Sequence, residues 1–380
     1  MIYLDHAATT PISKSALEMM TKMNKKYWAN PGSLHQIGQL AHLELTEARR
    51  KIAKILNCDE SEIVFTSGGT ESNNLLIKGL GEIYQKGHII SSQVEHHAVL
   101  YPLEDLEKKG FQVTYLQPDQ YGLISAEKVQ KSIRKNTILI SVMYANNEVG
   151  TINPIKEIGE IAKKNNIFFH TDAVQAAGFL DLNVEKLQVD ALTLSGHKFY
   201  GPKGVGALFL KKGSKIKPQL LGGGQEQNLR ASTENLPAIA AMALALEDAF
   251  KNQKKENKRL IELRDFLYEN LKKNIPEIKL NGSLEKRLPN NLNISFARVE
   301  GESILLYLDQ EKIFVSTGSA CTSGSLDPSH VLKAMNVPAE LMHGSIRFSL
   351  GKMNQKKDIK KTVEVLTRVI NKLREMSPLK

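Results

Sequence analysis

Cysteine is scarce in this chain. Only Cys58 and Cys321 occur in 380 residues, which excludes a disulfide framework and points to a reducing, cytoplasmic setting. Long apolar runs are missing too. The longest, Leu236 to Leu246, is alanine-rich, too short to span a bilayer and soon followed by Glu247 and Asp248. The start, Met1 to His6, has no basic stretch leading into an apolar one, so no signal peptide is expected. No internal repeat or low-complexity linker interrupts the chain, and no HExxH spacing supports a metal site.

What is present reads as a soluble globular protein, 41% hydrophobic and 24% charged. A length of 380 residues exceeds one typical core and predicts two domains. The net charge of +10 is spread along helical faces such as Lys251 to Arg259, without interleaved aromatics. A solvated basic surface explains it better than a nucleic-acid footprint, so direct nucleic-acid binding is not expected. An acidic protein partner would also suit it.

β-prone runs at 62–65, 88–91, 112–116, 137–142, 167–171, 191–194 and 206–210 alternate with helical patterns. That alternation predicts crossover connections and a mainly parallel seven-stranded sheet, an α/β fold. Residues 232–273 read as one long or broken helix. Beyond it, short strands at 292–296, 313–316 and 345–349 mix with helices near 301–309, 329–335 and 354–375. The change of rhythm marks a smaller α+β domain. The expected division is a large domain over 14–255 and a small one from 1–13 and 256–380.

The chemistry gathers around Leu194 to Gly206, where Lys198 sits between two strands beside His197 and four glycines. Lysine is rarely buried unpaired and glycine is costly to order, so packing explains this stretch poorly. A lysine that enters a pocket and forms a Schiff base with an aldehyde cofactor explains it better. Three other stretches keep it company. Thr66 to Asn74 puts Gly68 and Gly69 at the mouth of a helix, a place for a phosphate or an ordinary strand-to-helix turn. Glu95-His96-His97 offers either a satisfied loop histidine or an imidazole lying on a flat ring. Asp172 and Gln175 fall at the carboxyl end of a strand, where open α/β sheets bind ligands, although a helix N-cap explains Asp172 equally well. Tyr144 to Gly150 adds amides at the same edge.

Phosphate turn, histidine, Asp-Ala-Val-Gln and Ser-Gly-His-Lys, in that order, resemble a fold-type-I pyridoxal-phosphate (PLP) enzyme of the class V aminotransferase family. The resemblance runs from Tyr3 to the final helix and is closest to the cysteine desulfurases of the NifS/IscS type. The segment Ser316 to Ser325, with its Ser-Ala-Cys-Thr-Ser motif around Cys321, separates that branch from its transaminating relatives. Its glycines, serines and threonines also suit an accessible nucleophile, whereas Cys58 reads as a small core hydrophobe.

The resemblance implies a PLP-dependent transferase fold and a homodimer that takes sulfur from L-cysteine. It makes Lys198 the Schiff-base lysine and acid/base, and His96 a ring-stacking proton relay. Asp172 would pair with the pyridine nitrogen and Gln175 with the ring hydroxyl. Gly69, Thr70, Ser195 and His197 would bind the phosphate, joined by Thr233 of a neighbouring subunit. Ser232 replaces the glycine usual before that threonine. Asn147 would serve the ring oxygen and the substrate, Arg347 would clamp the substrate carboxylate, and Cys321 would carry the persulfide. Longer relatives that serve iron–sulfur scaffolds carry a further tail beyond the position of Lys380. The expected acceptor is accordingly a tRNA-thiolating enzyme, or a scaffold docked in another way.

Overall fold

Residues 1–317 and 328–376 are described by the structure, a computed structural model. Seven strands form the central sheet, in the order Ile63–Thr66, Gly206–Leu210, Ala191–Ser195, Phe168–Asp172, Thr137–Ser141, His88–Ser92 and Gln112–Leu116. All seven expected strands are present, and the sheet is mainly parallel. The exception is Gly206–Leu210, antiparallel to both neighbours. The short segment 196–205 leaves no room for a crossover helix, so the chain must double back.

Neighbouring residues of the buried strands serve opposite faces, as the pleat requires. Val64, Ile89, Leu139 and Leu208 pack with the helices Gly69–Tyr84 and His97–Lys108. Phe65, Ile90, Ile140 and Phe209, one position on, meet the helices Gln36–Leu56, Ile155–Lys164 and the first half of Leu236–Asn274. Cys58 packs against this second face, half-buried, and burial pushes its thiol up to about 12.

A second core surrounds an antiparallel sheet of Ser345–Ser349, Asn291–Phe296 and Ile278–Asn281. Leu260, Leu263, Leu267 and Leu271, from the far half of the long helix, line it together with the helix Lys356–Met376 and Leu4. That long helix is continuous over 39 residues and contributes to both cores. Val331 to Val337, which follow the Cys321 segment, pack on the first core.

Several elements went unread in the sequence. The helix Lys14–Lys26 is capped by the Ser13 hydroxyl, which accepts from the Ala16 amide. Ile278–Asn281 and the two-residue strand Ile2–Tyr3 are too short to show a period. Ile2–Tyr3 pairs with Ile313–Phe314, and the chain then runs beside Ser349.

His170 is fully buried in the central sheet, between the hydroxyls of Ser141 at 2.9 Å and Thr193 at 3.1 Å. Burial pulls its pKa down to about 3, so the folded protein holds it neutral while the unfolded chain protonates near the usual value of about 6.5. Its share of stability is whole above pH 6.5 and falls as pH drops below that, by about 2 kcal/mol between pH 7.5 and 5. Urea midpoints at the two pH values should show this loss. His170→Gln should flatten the dependence by a similar amount; an unchanged slope would rule His170 out as its source.

Candidate active site

The carboxyl ends of the sheet strands and the segment 5–10 converge on one place. Lys198 closes a tight turn, Gly196–Lys198, directly after the strand Ala191–Ser195. Its ammonium donates to the backbone carbonyls of Ala7 and Ala8, each at 2.7 Å. His197 points its Nδ1 to the Thr9 hydroxyl at 3.1 Å, and the Thr10 hydroxyl donates to the His197 carbonyl. Burial, then the charges of Lys198 and Lys203, pull the His197 pKa down to about 4. It is therefore neutral at physiological pH.

Beside this turn lies a cavity of about 490 Å³, lined by Ser67, Gly69, Thr70, Ser195, His197 and Lys203 among others. Gly69 opens the helix Gly69–Tyr84, whose N-cap, Gly68, supplies no side-chain acceptor for the first amides. A Cβ on Gly69 would stand 2.8 Å from Val174 Cγ2, and one on Gly206 would stand 2.6 Å from Gly68 Cα. These close approaches account for glycine on both sides of the turn. Helix amides, the hydroxyls of Ser67, Thr70 and Ser195 and a lysine make a cradle for a dianionic group. Glu71 also lines the cavity, but its charge is spoken for. Burial raises its pKa, yet hydrogen bonds from Arg230 and Ser67 outweigh that and hold it below the usual range.

Asp172 ends the strand Phe168–Asp172, nearly buried. One carboxylate oxygen accepts from Asn73 Nδ2 at 2.7 Å and the other from the Val174 amide at 3.0 Å. Turns rather than a helix follow, so the N-cap explanation is not met. His96 caps the helix His97–Lys108 by accepting from the Ala98 amide at 3.0 Å. It also lies within electrostatic reach of Asp172 and Lys198. Burial lowers its pKa against the opposing pull of Asp172, leaving the ring neutral. Gln175 donates to the Ala7 carbonyl at 2.9 Å, from a nearly buried position.

Arg347 lies on the strand Ser345–Ser349, 2% exposed. Its Nη2 donates to Asp5 Oδ1 at 2.8 Å and its Nη1 to the Asn147 carbonyl at 3.0 Å, while the buried Nε has no hydrogen-bond partner. Asn147 is thus tied to Arg347 through its backbone. Thr233, by contrast, is exposed and lines an adjoining cavity of about 220 Å³ with Thr66 and Ser67. It is not brought to its own chain's cradle. Cys321 lies outside the described residues. Among the described residues, no cluster of histidine, cysteine or carboxylate side chains is placed to hold a metal ion.

Several participants were missed in the sequence. Asn73 orients Asp172 from one turn beyond Thr70, where an extra asparagine carried no distinguishing signal. Glu95 is fully buried, its Oε1 accepting from Ser92 at 2.6 Å and the Met143 amide at 2.9 Å. Burial first, with Asp172 adding to it, pushes the Glu95 pKa up to about 8, so it is mostly protonated at neutral pH. Asp5, Ala7, Ala8 and Thr9 act mainly through position and backbone, which composition does not reveal.

A family model described as aminotransferase class-V matches residues 2–362. The chain is 55% identical to a cysteine desulfurase IscS of Dictyoglomus turgidum, over an alignment that covers 100% of this chain and 97% of that one. A solved structure of a NifS-like protein superposes with a TM-score of 0.92 at 37% identity, covering 97% of this chain and 99% of the other. A second, SspA in complex with cysteine, gives 0.83 at 38% identity, covering 92% and 99%. With a family match over nearly the whole length and a relative above half identity, this chain belongs to the class-V aminotransferase family.

Proposed function

We propose that the protein is a PLP-dependent cysteine desulfurase, converting L-cysteine to L-alanine and leaving the sulfur as a persulfide on Cys321. The observation that carries the reading is the meeting of Lys198, Asp172 and neutral His96 beside a cradle for a dianion. The names of the relatives, and the cysteine bound to one structural neighbour, support the same substrate.

The residues present fit PLP. Gly69, Thr70, Ser195 and His197 would hold the phosphate, with Lys203 adding charge. Asp172, fixed by Asn73 and the Val174 amide, would pair with the pyridine nitrogen, and Gln175 and Asn147 would serve the ring oxygen. Bound there, the cofactor supplies an electron sink for negative charge beside the substrate amine. Lys198 then holds and moves the proton at the substrate carbons. His96, neutral and with Nδ1 accepting from the Ala98 amide, carries its proton on Nε2 and serves the substrate as a donor. Arg347 receives the α-carboxylate. Cys321 takes the sulfur: the substrate C–S bond breaks, an S–S bond forms, and the former thiol-bearing carbon gains a proton.

The exposed position of Thr233 supports a homodimer in which it completes a second copy's cradle. In the same reading, residues 14–255 form the cofactor-binding domain, and 1–13 with 256–380 the smaller domain that carries Cys321. The persulfide passes to a protein acceptor, either a tRNA-thiolating enzyme or an iron–sulfur scaffold, in the cytoplasm. Among the described residues no helix is long and apolar enough to cross a membrane.

With L-cysteine and a thiol reductant, purified protein should release alanine and sulfide in equal amounts. Cys321→Ser should abolish both while keeping the cofactor band; unchanged output from that variant would refute the assignment of Cys321. Lys198→Ala should lower turnover by about a thousandfold or more, because proton transfer at the substrate carbons goes with it. Asn73→Ala strips a donor from a buried carboxylate and should weaken cofactor retention about tenfold, measured by dialysis against phosphate. Equal retention would mean that Asp172 needs no such support.

A further inference from the structure

The guanidinium assigned to the substrate carboxylate already faces another carboxylate. Arg347 and Asp5 form an ion pair at 2.8 Å, with side chains 3% and 19% exposed. Asp5 is also unable to drift away. Its backbone is bridged to Ser349, the Ser349 amide donates to the Leu4 carbonyl at 2.7 Å, and the Ala7 amide donates to the Ser349 hydroxyl at 2.8 Å. Leu4 is itself fully buried in the second core. The anion is thus built into the sheet edge on which Arg347 stands.

We propose that Asp5 is a specificity-setting positioning residue, which fixes the Arg347 guanidinium and tempers its attraction for a substrate carboxylate. The inference rests on Arg347 being the carboxylate receptor, as argued above. A buried guanidinium without a counter-ion would be costly, so Asp5 stabilises the empty receptor. An incoming carboxylate then meets a nearly neutral pair rather than a bare cation. Two carboxylates sharing one guanidinium repel each other, and at such separations the repulsion remains strong near a protein surface. Substrate and product carry the same α-carboxylate, so a tempered receptor also lets alanine leave. Asp5 gives up affinity for turnover.

The test is a titration of the PLP-loaded enzyme with L-alanine and with L-alaninamide, followed by the change in cofactor absorbance. Both ligands carry the same amine, and only one carries the carboxylate. Asp5→Asn preserves a hydrogen-bond acceptor but removes the charge. It should tighten L-alanine by about tenfold while changing L-alaninamide by less than about twofold. Asp5→Glu keeps the charge and should leave the acid-over-amide ratio near that of the parent while lowering kcat. With L-cysteine, Asp5→Asn should lower KM. If Arg347→Lys weakens L-alanine but Asp5→Asn leaves the ratio unaltered, Arg347 is the receptor and Asp5 has no such role. If Arg347→Lys leaves the L-alanine titration unchanged, the receptor assignment itself fails and the inference goes with it.

Discussion

Two backbone carbonyls, those of Ala7 and Ala8, hold the Lys198 ammonium, and most of the site depends on how they are placed. A buried ammonium needs acceptors, and these two carbonyls are among those it has. The same short segment receives Gln175 at Ala7, His197 at Thr9 and Arg347 at Asp5. It therefore ties side chains from the central sheet to one from the antiparallel sheet. Its own fixity comes from Leu4 in the second core and from hydrogen bonds to Phe314 and Ser349.

Charge is distributed around that segment so that neighbouring groups do different work. Asp172 has two donors and a polar end-of-strand setting. Glu95, close enough to feel its charge, is fully enclosed and leans toward the neutral acid. The imidazoles of His96 and His197 are both held neutral by burial, so the main positive charges near the cradle are lysines. Enclosure thus makes a neutral acid of Glu95 and neutral rings of two histidines, states that residue type alone does not give.

The seven strands of the central sheet were legible because apolar runs of sheet length alternate with helical periods. The antiparallel sense of Gly206–Leu210 was not, since it follows from a connection length and not from the strand's own residues. Lys198, Asp172 and His96 were recognisable because their residue types are unusual at strand ends. Asn73 and Glu95 were not, because an asparagine in a helix and a glutamate beside two histidines look ordinary until their burial is known. Segment 5–10 was read only as part of the stretch 1–13 that joins the smaller domain. Its contribution is made largely by backbone atoms, which every sequence possesses equally.

The pairing of the chain's beginning with its far end has a temporal side. Ile2 and Tyr3 are made long before their partners Ile313 and Phe314, and Ser349 emerges later still. Contacts of such sequence separation form slowly, after local structure has collapsed. The central sheet can therefore close, with its lysine turn and its anion cradle, while the carbonyls of Ala7 and Ala8 are still unanchored. Residues 2–8 are thus made early and are among the last set in place.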